Sequence, residues 1–194
     1  VIPDTVGVVI GTFGDDPEWG PLALRAMYSA EDTGADRLVW KHEDTLQHAR
    51  NRGADELFEL GVEWFIFLDA DDELSPNYVD AMLAGEGDIR KPSTIGIYPD
   101  GHEDDAPTMI PERDINTSNH IVIGAMCRAE LFQEVGGFRD YPVLEDWDLW
   151  RRMVKAGAKV VEVPDAVYRI HVNPDSRNTN RDLHNRVYNQ IRRN

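Results

Sequence analysis

A single cysteine, Cys127, is all the thiol this 194-residue chain carries. An internal disulfide framework is therefore excluded, and a reducing, cytoplasmic location is expected. No CxxC or nucleophile context surrounds Cys127, which reads as a small buried residue. No apolar run approaches the ~20 residues that span a bilayer, and no basic-then-apolar leader opens the chain. Positive charge is scarce as well, and the formal net charge is −16. A general nucleic-acid binder needs a basic surface to displace counterions, and attachment to anionic lipid needs the same. Repeats, low-complexity tracts and linkers are also missing. The length and the ordinary 41% hydrophobic fraction fit one domain with a full core.

What the chain does have is acid at a particular place. Trp64-Phe65-Ile66-Phe67-Leu68 is an unbroken apolar run, which predicts a strand buried on both faces. Asp69, Asp71 and Asp72 follow directly. Open α/β sheets bind ligands at that carboxyl edge. Carboxylates this close repel one another unless a cation or a donor-rich ligand neutralises them. Hard divalent ions, Mg²⁺ or Mn²⁺, suit oxygen ligands and commonly bring phosphates. Ser75 and Pro76 predict a capped helix start just beyond.

The alternation of periods predicts a doubly wound, mostly parallel α/β sheet with helices on both faces. Strands are expected at 6–12, 37–40 and 62–68, with helices at 19–31 and 45–60. The second helix should stop at Gly61. A middle section from Gly85 to Asn119 carries β-like residues at 94–98. Helical signals return at 129–135, stopped by Gly136-Gly137, and at 145–156, stopped by Gly157. Two short strands, 159–163 and 166–172, follow.

A second acidic cluster sits in Glu145-Asp146-Trp147-Asp148. Negative charge in a helix's first turn is favoured by the dipole, and Asp148 reads as a helix-dipole or surface charge. Taken with the strand-end carboxylates, one cluster can hold a metal with its phosphates while the other supplies a general base. His171, in a late strand, is a candidate further ligand. Two other motifs fail. Gly11-Thr12-Phe13-Gly14 lacks the full dinucleotide spacing and a Walker lysine. Residues 69–80 have Leu74 where a calcium loop needs glycine, and Asp80 where it needs glutamate.

Five segments together resemble the family 2 glycosyltransferases of the GT-A fold, from about Thr5 to about Asn173. Ala49-Arg50-Asn51-Arg52-Gly53 is similar to the family's Ala-Arg-Asn-x-Gly. Phe67-Leu68-Asp69-Ala70-Asp71 resembles its Asp-x-Asp strand end. Val135-Gly136-Gly137-Phe138, Glu145-Asp146 and Tyr168-Arg169-Ile170-His171 resemble its Gly-Gly-Phe, Glu-Asp and Tyr-Arg-x-His elements. The resemblance implies a single nucleotide-binding domain over 1–172, and the basic tail over 173–194 is expected to be helical and part of the same unit. It implies a soluble, metal-dependent, inverting enzyme that moves a sugar from a nucleotide-diphosphate sugar, a UDP-sugar foremost, to an acceptor hydroxyl. By the same resemblance, Asp71 coordinates Mn²⁺ or Mg²⁺, and Asp69 contacts the ribose or the metal's hydration shell. Arg50 lies near the nucleotide and Thr12 near the base. Asp146 is the general base, Glu145 orients the acceptor, and His171 is a further metal or phosphate ligand.

The chain departs from the family at the end of its second strand. The family's Val-Asp-Asp-Gly-Ser is replaced by Val39-Trp40-Lys41-His42-Glu43-Asp44, so either Glu43 or Asp44 substitutes for the aspartate that reads the base, or base recognition differs. The length leaves little room for a large acceptor domain, which points away from a membrane synthase. The acceptor stays open between a protein hydroxyl, a glycan, a small molecule and a modified nucleobase. Five arginines in the tail, Arg177, Arg181, Arg186, Arg192 and Arg193, are either a lid over the diphosphate or a solvated helix. Two other functions remain in view: a nucleotidyltransferase of similar fold, which would usually carry a lysine-containing glycine-rich first loop, and a nucleotide-sugar-binding module without turnover.

Overall fold

The computed structural model describes residues 4–105, 114–173 and 180–194. Strand β1 (Val6–Phe13), helix α1 (Trp19–Glu31), β2 (Arg37–Glu43), α2 (Leu46–Glu59) and β3 (Trp64–Asp69) make the first half. The short β4 (Glu73–Leu74), α3 (Tyr78–Ala84), β5 (Ile89–Ile97) and β6 (Glu103–Asp105) follow. Next come β7 (Met126–Arg128), α4 (Ala129–Glu134), α5 (Glu145–Lys155), β8 (Val160–His171) and α6 (Arg181–Arg193). The eight strands form one sheet in the order β2-β1-β3-β7-β5-β8-β4, with β6 paired to β5. Its three longest ladders, β1 with β2, β1 with β3 and β5 with β8, are parallel. The antiparallel β7 joins the two parallel halves. No helix among the described residues is long and apolar enough to cross a membrane.

Three glycines let α2 lie close on β1. A Cβ at Gly7 would meet Leu57 at 2.6 Å, one at Gly11 would meet Leu46 at 3.0 Å, and one at Gly53 would meet Val9 at 2.5 Å. Thr45 caps the helix, its hydroxyl accepting from His48 N at 3.2 Å. Gly61 ends it in the left-handed region at φ 80°. This close seat carries Arg50 out over the carboxyl edge of the sheet. Val8 and Ile10, on the opposite face of β1 from Val9, are fully buried too, so both faces are covered.

The aromatic run of β3 is the centre of the core. Phe67 meets Phe138 edge-on at 4.8 Å, and Phe65 meets Phe132 edge-on at 5.5 Å. Asn51 explains why Gly-Gly-Phe follows α4. Its side-chain amide donates to Phe138 O at 2.9 Å and accepts from Phe138 N at 2.8 Å. A Cβ at Gly137 would lie 2.6 Å from Asn51 Oδ1, so this clamp needs glycine there as well as its positive φ.

Four expectations are corrected. The helix after the acidic turn starts at Tyr78, not at Pro76, because Ser75 extends the pairing of β4 with β8. Ser75 N donates to Val167 O (3.0 Å) and Ser75 Oγ accepts from Val167 N (3.1 Å). The strand expected at 94–98 begins at Ile89. Its first residues looked polar, yet Arg90 lies 3.9 Å from the centre of the Trp64 ring and Lys91 pairs with Glu162 at 2.6 Å. The two late strands are one, β8, whose register against β5 shifts between Pro92 and Ser93. Asp148 is no surface charge. It is buried, accepting from Arg152 Nε at 2.8 Å with Arg139 Nη1 at 3.5 Å. Cys127 is buried, as expected, and burial pushes its thiol pKa up.

Candidate active site

The carboxyl edge of β3 turns sharply, with Asp72 N donating to Asp69 O at 3.0 Å. One carboxylate oxygen from each of Asp69, Asp71 and Asp72 lies within 4.8 Å of the others. This set of hard oxygen donors suits a divalent cation. β8 holds the turn from beneath: Asp69 N donates to Tyr168 Oη (3.1 Å), and His171 N donates to Asp72 Oδ1 (2.9 Å). Arg25 Nη2 donates to Asp71 O at 2.6 Å. Burial, together with the charges of Asp69 and Asp71, raises the Asp72 pKa well above the carboxylate range.

Arg50 joins this turn to the second acidic cluster. It is buried, its Nη2 meeting Asp69 Oδ1 at 2.5 Å and its Nη1 meeting Glu145 Oε1 at 2.8 Å. Burial works against its charge, but the two carboxylates outweigh that and hold its pKa above the ordinary arginine value. The guanidinium also lies 5.1 Å from the centre of the Phe138 ring.

Glu145 and Asp146 open α5 and face different ways, as neighbours on a helix must. Glu145 turns to Arg50. Asp146 turns to the 114–123 segment, where Asn119 Nδ2 donates to its Oδ2 at 2.8 Å, while Trp147 N donates to Oδ1 at 2.7 Å. Burial first, and the Glu145 charge second, push the Asp146 pKa up to about 7. The preceding residue, Leu144, has φ 61° and is the single non-glycine with positive φ among the described residues. Strained backbone of this kind gathers at functional sites.

Both clusters open into one cavity of about 530 Å³, lined by Arg50, Asp69, Asp72, Asn119, Glu145 and Asp146. Helix α6 forms part of its wall through His184 and Tyr188. Tyr188 stacks on Trp147 (4.9 Å, 10° between rings) and donates to Thr117 O at 2.9 Å. Trp147 Nε1 donates to Ile115 O at 2.6 Å. The tail arginines Arg181, Arg186, Arg192 and Arg193 are exposed, and Arg177 lies outside the described residues.

Of the residues singled out from the sequence, Arg50, Asp69, Glu145 and Asp146 meet at the cavity, with Asp71 beside them in the turn. The His171 ring lies with its Nε2 2.9 Å from Glu73 Oε1. Thr12 is buried at the end of β1, its hydroxyl accepting from Trp40 Nε1 and lying 2.9 Å from His42 Nδ1. Glu43 is ion-paired with Arg52, and Asp44 Oδ1 lies 2.7 Å from His48 Nδ1. Neither Thr12 nor Glu43 lines the cavity. Asp72 was read as part of the acidic run without a role of its own, and Asn119 and Tyr188 were not singled out. The third acid of the run was the available signal for Asp72; Asn119 and Tyr188 carried none.

Fold and site together define an α/β domain of the GT-A type, with an acidic turn at the carboxyl edge of its sheet. No protein-family model and no curated protein sequence matches the chain. Crystal structures of Staphylococcus aureus TarS share its fold. TarS 1–349 in complex with UDP-GlcNAc matches with a TM-score of 0.67 at 12% identity, over 96% of this chain and 66% of that one. The complex with UDP gives 0.61 at 15% identity, over 88% and 61%. A further structure of TarS 1–349 gives 0.63 at 13% identity, over 86% and 60%. The chain thus spans less than two thirds of these TarS chains.

Proposed function

We propose that the protein is a metal-dependent, inverting glycosyltransferase that takes its sugar from a nucleotide diphosphate, UDP foremost. The observation that carries this reading is the placement of Asp146, with a pKa of about 7, in the same cavity as the Asp69–Asp72 turn. The likeness in fold to a protein crystallised with UDP-GlcNAc and with UDP supports it.

Asp69, Asp71 and Asp72 would hold the cation. Burial and, after it, the charges of Asp69 and Asp71 raise the Asp72 pKa, which fits a site completed by positive charge. A bound Mn²⁺ or Mg²⁺ would supply charge compensation for the diphosphate leaving group. Arg50 is already neutralised by two carboxylates, and its role is to fix Asp69 and Glu145 relative to each other. Asp146 takes the proton of the acceptor hydroxyl as that oxygen bonds to the anomeric carbon. The bond from that carbon to the diphosphate breaks, and the diphosphate oxygen keeps the electron pair. One displacement inverts the centre, so no covalent nucleophile is required. A carboxylate titrating near neutrality is suited to this proton transfer.

Calorimetry of the purified chain with UDP, with Mn²⁺ and with EDTA, tests the donor side. Release of GlcNAc or its transfer from UDP-GlcNAc, followed by mass spectrometry against an acceptor panel, tests turnover. Failure of every nucleoside diphosphate to bind in Mn²⁺ would overturn the reading.

A further inference from the structure

Asn119 lies 27 residues before Asp146 in the chain and touches the carboxylate on which the proposed chemistry depends. Its orientation is not free. The Asn119 side-chain oxygen accepts from Ile121 N at 3.2 Å, so the amide must present its NH₂ end to Asp146. The segment that carries it is tied down at Ile115 by the Trp147 indole and at Thr117 by the Tyr188 hydroxyl. Both anchors belong to helices that wall the cavity.

We propose that Asn119 is a positioning residue that fixes the direction in which Asp146 accepts a proton and keeps that carboxylate ionised. This rests on the reading of Asp146 as general base. The geometry gives the reason. Asn119 occupies one side of Oδ2 and the Trp147 N–H occupies one side of Oδ1, so lone pairs remain for an acceptor hydroxyl only on the rest of the group.

The choice of a neutral donor matters. A half-buried carboxylate beside Glu145 is driven towards its protonated form, in which it cannot act as a base. A lysine or arginine at 119 would reverse that drive by pairing with the carboxylate, and would weaken its basicity. An amide N–H favours the ionised form without forming an ion pair. The charged and titratable groups around the same cavity are Glu145, Arg50, Asp69, Asp72, Lys91, His120, His184 and Tyr188. Arg50 is engaged by Asp69 and Glu145, and Lys91 by Glu162, while the Asn119 amide donates directly to Asp146.

The test follows the carboxyl ¹³C resonance of Asp146 with pH in protein labelled at aspartate. The signal is assigned by its loss in Asp146→Asn. In Asn119→Ala the titration should move up by about one pH unit, the size expected for losing one hydrogen bond to an ionised group. In Asn119→Asp the Ile121 contact is retained but donation is replaced by a second carboxylate. The pair should then show an upper apparent value above that of the alanine variant. A purely structural role for Asn119 would lower the melting temperature and leave the titration where it was. An Asp146 titration unmoved in both variants overturns the proposal. UDP binding in Mn²⁺ is measured on the same samples, with the unsubstituted protein as the reference. Its absence from the unsubstituted protein would count against the glycosyltransferase reading, while the titration still decides the role of Asn119.

Discussion

Arg50 and Glu145 are 95 residues apart in sequence and share a 2.8 Å hydrogen bond in which both side chains are buried. The other arm of Arg50 reaches Asp69. One cation thus sits between the strand-end turn and the first turn of α5, so the two halves of the site are held by a single side chain. Replacing Arg50 by methionine keeps the aliphatic stem but leaves Glu145 buried without its partner. We expect a loss of about 3 kcal/mol in urea denaturation. Arg50→Lys should recover only part of it, since an ammonium cannot span both carboxylates in the same planar geometry. Unchanged stability of Arg50→Met would show that solvent, not Arg50, balances Glu145.

Removal of the proposed base should separate activity from stability. The Asp146 pKa is raised on folding, so the folded protein binds this proton more tightly than the unfolded chain. The associated stability is present below about pH 4 and is lost as pH rises towards about 7. Asp146→Asn has no such loss. It should therefore be more stable than the parent at pH 8, by about 1–2 kcal/mol once partial solvation is allowed for. Sugar transfer should fall by about 10²–10⁴-fold with donor binding nearly intact. Thermal melts at pH 5 and pH 8, beside transfer assays, check both halves.

The acidic turn predicts metal dependence. UDP binding should require Mn²⁺ or Mg²⁺, and Asp71→Ala should abolish that requirement together with most of the affinity, leaving the melting temperature nearly unchanged. Tight UDP binding by the unsubstituted protein in excess EDTA would count against the metal site.

Asp148 should be costly to change. Asp148→Asn leaves Arg152 without its carboxylate and a buried polar site half satisfied. We expect destabilisation of about 2–3 kcal/mol in chemical denaturation, against the silence expected of a surface charge.

Helix α6 belongs to the packed structure, with Val187 and Ile191 buried. Tyr188→Ala removes the stack on Trp147 and the bond to Thr117, and should cost about 2 kcal/mol. It should also depress transfer more than UDP binding, because the helix borders the cavity on the side of Asp146. Equal loss of both would point to general unfolding.

How much of this was legible in the sequence follows from how local each signal is. The β3 run with its terminal acids, the α2 stop at Gly61 and the Gly136-Gly137 stop depend on neighbouring residues, and each lies where the pattern put it. The start of β5 was hidden because Arg90 lies over the Trp64 ring and Lys91 pairs with Glu162, residues far away in sequence. Asp148 looked like a first-turn surface acid because the pattern shows the helix face but not Arg139 opposite it. Asn119 and Tyr188 sit in an irregular segment and on a tail helix. Only the closing of the fold brings them to Asp146 and Trp147, and no periodicity marks such contacts.

Leu144 carries a consequence for how this site tolerates change. Left-handed backbone costs an ordinary residue about 1 kcal/mol and costs a β-branched one more. Position 144 therefore acts as a filter on substitution that owes nothing to the side chain's size or polarity. Glycine or asparagine can pass it, while valine and isoleucine are excluded before any question of packing arises. The direction in which Glu145 and Asp146 leave the loop is thus set by a single dihedral angle. A shift in that angle would swing the acid facing Arg50 and the acid facing Asn119 together, so neither can be re-aimed alone.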